Sequence, residues 1–159
     1  MARSGPRPPA IPLADPSVRI AAVVAGFHRD VAQALLEGAR ARLGEAGLAG
    51  DALDVRWVPG AFELPLAAQA MSRRGSYAAV VALGLVVRGE TAHFDHICHA
   101  ASTGLSRVAL DTGVPVAFGV LTTEDQDQAW ARAGGGVGNA GSDAADAAIA
   151  MVNLLAEGT

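Results

Sequence analysis

Three histidines spaced three apart, His93, His96 and His99, close a stretch that begins at Gly84 and reads Gly-Leu-Val-Val-Arg-Gly-Glu-Thr-Ala-His-Phe-Asp-His-Ile-Cys-His. Two chemistries compete for these side chains. As metal ligands, with Asp95 and Cys98 between them, they would have to converge on one ion. A step of three residues drifts ~60° backwards around a helix, however, so a single ion does not readily engage all three. Acid–base chemistry needs only one imidazole. The apolar run before Arg88 reads as a buried strand, and Gly89 lets the backbone approach a ligand closely. With a helix starting near Thr91, the N–H groups around Glu90 and Thr91 point outward at the positive end of its dipole, where a phosphate or other anion binds. His93, in the first turn, faces the same spot. The dipole disfavours an imidazolium there, which leaves a neutral ring able to take and return a proton. The plainer alternative, that His93 only decorates a helix start, is not removed by spacing alone.

Other residues could join such a site. Arg132 precedes Gly134-Gly-Gly-Val-Gly-Asn139, where a guanidinium could meet a phosphate or simply offset a helix C-terminus. The glycine run has neither a Walker lysine followed by Ser or Thr nor a strand directly before it, so it reads as an irregular hinge between helices, not as a nucleotide loop. Phe27 follows Ala25-Gly26 at a strand end, and Phe62, Phe94 and Phe118 fall at or near the same predicted face, as stacking surfaces for a planar ligand or as ordinary core. Glu63 could accept hydrogen bonds from a polyol or place a carboxylate in a first helical turn.

These residues need a scaffold, and the pattern from Arg19 onward supplies one. β-Branched runs alternate with longer Ala/Leu-rich stretches, as parallel strands and crossover helices do. Strands are expected at Ile20–Ala25, Asp54–Val58, Ala78–Val87 and Val114–Leu121. Helices are expected at Asp30–Leu43, from about Glu63 with Pro65 in the first turn, from Thr91 to Asp111, from Glu124 to Ala133 and from Ser142 to Leu155. Four parallel strands with covering helices predict a flavodoxin-like three-layer α/β/α sandwich. Ligands in such folds bind beyond the carboxyl ends of the strands, which directs attention to Phe27, Pro59–Glu63, Val87–His93 and Leu121–Glu124. Residues 1–17, with Pro6, Pro8, Pro9, Pro12 and Pro16, read as an extended tail free to lie along a neighbour's sheet, and 18–159 as one domain.

Composition narrows the function classes. In 159 residues, 51% are hydrophobic and only 18% charged, so a small monomer would struggle to cover its apolar surface, and burial between copies is expected. Twelve basic against 16 acidic side chains, net −4, with no basic stripe, argue against nucleic acid. The longest apolar run, Gly75–Val87, falls short of the ~17 residues that span a bilayer, and no basic-then-apolar leader opens the chain, so a soluble cytoplasmic protein is expected. A lone cysteine, Cys98, allows no internal disulfide and no cysteine cage for zinc.

Four ordered stretches, Gly60-Ala-Phe-Glu-Leu-Pro65, Gly84-Leu-Val-Val-Arg-Gly-Glu-Thr-Ala-His-Phe-Asp95, Gly119-Val-Leu-Thr-Thr-Glu124 and Arg132 through Asn139, together resemble the 6,7-dimethyl-8-ribityllumazine synthases of riboflavin biosynthesis. The similarity covers Arg19 to Leu155. It implies condensation of 5-amino-6-(D-ribitylamino)uracil with 3,4-dihydroxy-2-butanone 4-phosphate, without cofactor or metal. Residue by residue, it implies that Phe27 stacks on the pyrimidine and that Ala61, Phe62 and Glu63 hold the ribityl chain. Leu85, Val86 and Val87 would meet the pyrimidine edge through backbone groups. Glu90 and Thr91 would bind phosphate through amides, with Arg132 pairing to it, and His93 would shuttle protons. Phe118 would serve a site shared with an adjacent subunit of a homopentamer. The short glycine turn is similar to that of members forming icosahedral 60-mer shells, and riboflavin synthase is an implied partner. The sequence departs from the family where His28 replaces a frequent Asn, and where Gly136 and Ala140 replace frequent lysines. A riboflavin synthase of the archaeal type and a non-catalytic shell or flavin-binding homologue are the competing readings.

Overall fold

The computed structural model describes residues 5–157. Six strands and five α-helices follow one another as β1 (Ile20–Ala25), α1 (Arg29–Glu45), β2 (Leu53–Val58), α2 (Leu64–Ser72), β3 (Ala79–Val87), α3 (His93–Thr112), β4 (Val116–Thr123), α4 (Gln126–Ala131), β5 (Ala133–Gly135), β6 (Gly138–Asn139) and α5 (Ala140–Ala156). Single 3-10 turns at Gly50–Ala52 and Ala61–Glu63 precede β2 and α2. Strands β1 to β4 form one parallel sheet in the order β2-β1-β3-β4, as the alternation of strand-like and helix-like segments requires.

Because both faces of a parallel sheet are covered, its central strands carry apolar side chains at every position. Ile20, Ala22, Val24, Val81, Leu83 and Leu85 pack toward α1 and α5, while Ala21, Val23, Ala25, Val80 and Ala82 pack toward α2 and α3. All residues of β1 are buried. The architecture is the expected flavodoxin-like α/β sandwich.

The boundaries differ from expectation where local chemistry competes with hydrophobic pattern. Strand β4 lies two residues further along than Val114–Leu121. Gly113, at φ 72°, ends α3 in the left-handed region, and Pro115, which has no N–H to give, contributes its carbonyl to the Val80 N–H. Thr122 and Thr123 then continue the pairing opposite Val86 and Val87. Helix α3 begins at His93, so Glu90 and Thr91 belong to the preceding loop. Helix α4 is shorter than Glu124–Ala133 because Asp125 caps it, its carboxylate accepting from the Gln128 N–H at 2.8 Å. The glycine run is not an irregular hinge: β5 and β6 pair as a small antiparallel hairpin, with Gly134 and Gly138 at φ 109° and 126°. Asn139 closes the hairpin and caps α5, its Oδ1 accepting from the N–H groups of Gly141 and Ser142.

From Arg7 to Ala14 the tail lies against α1 and α5 of its own chain. Its prolines leave carbonyls without strand partners, and Arg42 and Asn153 donate to those of Pro8 and Pro12. Leu13 is buried, and its N–H donates to the Ala46 carbonyl. Arg42, 5% exposed, also binds Asp146 at 2.6 Å and Glu45 at 2.9 Å, and Arg7 reaches Asp143 and Asp146, both at 2.7 Å. Burial pushes the Asp146 carboxyl up, but hydrogen bonds from Arg42 and Arg7 outweigh it and hold the group below its ordinary value.

Two predictions concern this scaffold. A carboxylate with a depressed folded value stabilises fully above its unfolded value, ~4, and loses that contribution as pH falls through the folded one. Asp146→Asn should therefore cost about 2 kcal/mol at neutral pH, by leaving Arg42 short of a partner, and should flatten the loss of stability between about pH 5 and pH 3. Denaturant titrations across that range check both effects. A methyl group at Gly141 would run into the Leu35 carbonyl where α5 crosses α1. Gly141→Ala is thus expected to lower the thermal midpoint by several degrees, the consequence of roughly 2 kcal/mol of overpacking, as read by calorimetry.

Candidate active site

Strand order dictates where a crevice opens. The chain runs outward from β1 to β2, then returns across β1 to β3 and continues to β4, so connections leave β1 and β3 in opposite directions. Strand length adds to this. Six-residue β1 pairs with β3 up to Val24 opposite Leu83, whereas nine-residue β3 stays paired with β4 up to Val87 opposite Thr123. From Leu85 to Val87, β3 therefore has a strand on its β4 side and none on its β1 side. Gly84 lets the strands come together just below this point, since a Cβ there would lie 2.8 Å from that of Ala25.

A cavity of about 430 Å³ occupies the opening, lined by Phe27, His28, Gly60, Ala61, Phe62, Glu63, Leu85, Val86, Val87, His93 and Ile97. Phe27, after β1, and Phe62, before α2, are 80% and 61% exposed, which is unusual for phenylalanine and gives the cavity two aromatic walls. The other two phenylalanines do not join them. Phe94 is buried beneath the Arg88 guanidinium, and Phe118 sits opposite Ala82 in the edge strand β4, half-exposed and away from the cavity.

Glu63 closes the turn that carries Ala61 and Phe62. Its Oε2 accepts from the Gly60 N–H at 3.0 Å, so the carboxylate both fixes the loop and lines the cavity. His93 opens α3, and its backbone N–H points to the Thr91 hydroxyl at 3.4 Å. Ile97 lines the same cavity one helical turn later. Gly89 has no positive φ, and a Cβ there would meet nothing within 4 Å, so neither strain nor internal packing asks for glycine. Open space above this backbone is what close approach by a ligand would use.

The cavity does not include Glu90, Thr91, Arg132 or Phe118. Glu90 and Thr91 lie in the loop beside it. Arg132 ends α4 with its Nη1 donating to the Gln128 carbonyl at 3.1 Å, and it borders a separate recess with Leu121, Val137 and Asn139. The histidine series is dispersed: of His93, His96 and His99, only His93 lines the cavity. Among the described residues, no three His, Cys, Asp or Glu side chains gather as ion ligands. Burial pushes the Cys98 thiol up, away from the reactive thiolate. No helix of the described residues is long and apolar enough to cross a membrane.

Sequence reasoning covered Gly60 only as part of the Pro59–Glu63 loop and His28 only as a departure from the family pattern, and it missed Ile97. The i, i+4 spacing from His93 was the available signal for Ile97. Gln126 Nε2 donates to His28 Nδ1 at 3.2 Å, and burial lowers the proton affinity of the ring. That contact joins the end of β1 to the start of α4, a pairing no local pattern announces.

A doubly wound parallel sheet, with an aromatic-walled cavity at the β1/β3 switch point and a histidine lining it, is a flavodoxin-like architecture with a candidate small-molecule site. The particular kind follows from the sequence running through that scaffold. Residues 17–156 match the model of the 6,7-dimethyl-8-ribityllumazine synthase family, and the chain belongs to that family. Membership carries lumazine synthase activity, a transferase-type step of riboflavin biosynthesis.

Glu63 offers a test that separates architecture from binding. Glutamine keeps an acceptor for the Gly60 N–H, so Glu63→Gln should stay within about 0.5 kcal/mol of wild type, whereas Glu63→Ala should lose about 1 kcal/mol. Both should weaken binding of a ribityl-bearing lumazine severalfold, as measured by fluorescence titration.

Proposed function

We propose that the chain condenses 5-amino-6-(D-ribitylamino)uracil with 3,4-dihydroxy-2-butanone 4-phosphate to give 6,7-dimethyl-8-ribityllumazine, phosphate and water. The single observation that carries this reading is the overrun of β3. Backbone groups of Leu85 to Val87, open on the β1 side and set between two exposed phenylalanines, suit the hydrogen-bonding edge of a flat pyrimidine. Phe27 stacks on the ring, Val86 and Val87 take its edge, and the polyol runs toward Ala61, Phe62 and Glu63. Glu90 and Thr91 receive the phosphate through their amides, in the loop that leads into the positive end of α3.

The chemistry is nitrogen attack on the ketone to form an imine with loss of water, elimination of phosphate, then ring closure with a second dehydration. Each step moves a proton between nitrogen, carbon and oxygen atoms within reach of one another. His93, which lines the cavity, carries those protons in this reading. No cofactor or metal is required. Much of the acceleration comes from holding two reactants together in one cavity.

Arg132 and Phe118, which the cavity of their own chain does not reach, complete the cavity of a neighbouring copy in this proposal. Exposed Leu66, Leu110, Phe118, Leu154 and Leu155 support assembly, since side chains of this kind are costly on a lone domain's surface. A homopentamer, in turn able to build a 60-mer shell, is the proposed state, with the first 17 residues as a tail on a single catalytic domain.

Incubating both substrates and following lumazine fluorescence tests the activity. Wild type should form product, and its failure to do so would overturn the reading. His93→Ala should lose on the order of 10²-fold in kcat while retaining activity above the uncatalysed rate. Full activity in that variant would remove His93 from the chemistry.

A further inference from the structure

Arg88 stands one residue before Gly89 and two before Glu90, and its sequence position alone suggests a phosphate ligand. Its contacts point elsewhere. The guanidinium Nε donates to both carboxylate oxygens of Glu124, at 3.1 and 2.8 Å. Its Nη1 reaches Asp95 Oδ1 at 3.5 Å, and its plane lies 4.3 Å from the centre of the Phe94 ring. The Arg88 backbone N–H donates to the Thr123 carbonyl at 2.8 Å, continuing the β3/β4 ladder beyond its last paired residues. One side chain thus ties together the end of β3, the end of β4 and the first turn of α3.

Those three elements frame the loop Gly89–Ala92, which contains the proposed phosphate amides and ends at His93. Arg88 holds the loop from both sides: its backbone fixes where the loop leaves the sheet, and its side chain fixes Phe94 and Asp95, where the loop enters α3. The β4 end is itself fastened, because the Thr123 hydroxyl donates to the Asp125 carbonyl and the Glu124 N–H donates to Gln128 Oε1. Charge acts in the same direction. Without Arg88, Glu124 and Asp95 would stand as two uncompensated carboxylates beside a loop proposed to bind an anion.

Resting on the functional reading above, we infer that Arg88 is a positioning residue for the phosphate-bearing substrate: it sets the Gly89–Ala92 loop and His93, and shields them from Glu124 and Asp95, without itself taking the phosphate. A guanidinium whose Nε–H is shared between both oxygens of one carboxylate, whose Nη1 faces a second carboxylate and whose plane is stacked on a ring is poorly available for a ligand. Lysine keeps the charge but has neither the fork nor the planar stacking surface.

The assay compares Arg88→Ala, Arg88→Lys and Glu124→Gln with wild type, varying each substrate separately. Arg88→Ala is expected to raise KM for the phosphate substrate about tenfold, with at most a twofold change for the pyrimidine substrate, and to lower kcat. Arg88→Lys should recover part of the KM effect, because charge returns, but little of kcat. Glu124→Gln should affect kcat more than KM. The ring signals of His93 in NMR spectra, followed without substrate, should shift in Arg88→Ala and stay in place in the distant surface variant Arg107→Ala. Equal changes in KM for both substrates, unshifted His93 signals in Arg88→Ala, or failure of lysine to recover any KM effect would overturn the inference. Absence of product from wild type would instead sink the functional reading, while the His93 signals would still report whether Arg88 positions that residue.

Discussion

The structure depends on an unequal pairing at the centre of one sheet. Strand β3 is held by β4 to its last residue and by β1 over only part of its length, at the place where the chain reverses its direction of travel across the sheet. Unpaired backbone groups facing an apolar cavity are expensive unless something satisfies them. Water does so in an empty cavity, and a planar ligand with alternating donors and acceptors can do so with added stacking. The exposed Phe27 and Phe62, the fixed turn at Glu63 and the placement of His93 all take their meaning from that open segment.

Close packing beneath the cavity keeps the segment rigid. Gly84 permits contact with Ala25, and Gly119 brings β4 against Leu83 and Ala144. Gly141 seats α5 against the Leu35 carbonyl of α1. Small residues draw the layers together so that larger ones, such as Leu35, Leu64, Leu83 and Ile149, can be fully buried. The Arg42–Asp146–Arg7 network binds the tail to α1 and α5, the two helices that cover one face of the sheet. Aromatic side chains can stay exposed at one end because apolar burial elsewhere already sustains the fold.

Much of this was readable in the residues. The buried strands announced themselves by apolar, β-branched runs, and the strand-end rule pointed to Phe27, Pro59 to Glu63, Val87 to His93 and Leu121 to Glu124, of which the last does not line the cavity, while Leu85 and Val86 were implied only by the family resemblance. Boundaries set by side-chain-to-backbone bonds were not readable: Asp125 capping α4, Asn139 capping α5, and Pro115 delaying β4 each reflect one hydrogen bond or one missing donor, which periodicity averages away. Contacts across the fold were the least legible. His28 meeting Gln126, and Arg88 meeting Glu124, join residues far apart in the chain whose proximity only the sheet order creates. Arg132 shows the converse, a residue whose type fits a phosphate but which its own chain holds away from the cavity.

The central claim is that the β3 overrun receives the ring of the ligand. Backbone amide spectra recorded while 6,7-dimethyl-8-ribityllumazine is titrated into the protein test it most directly. The account predicts the largest shifts at Leu85 to Val87, with Phe27, Phe62 and His93 close behind. Shifts confined to the recess formed by Leu121, Arg132 and Val137, with the β3 end unchanged, would contradict it.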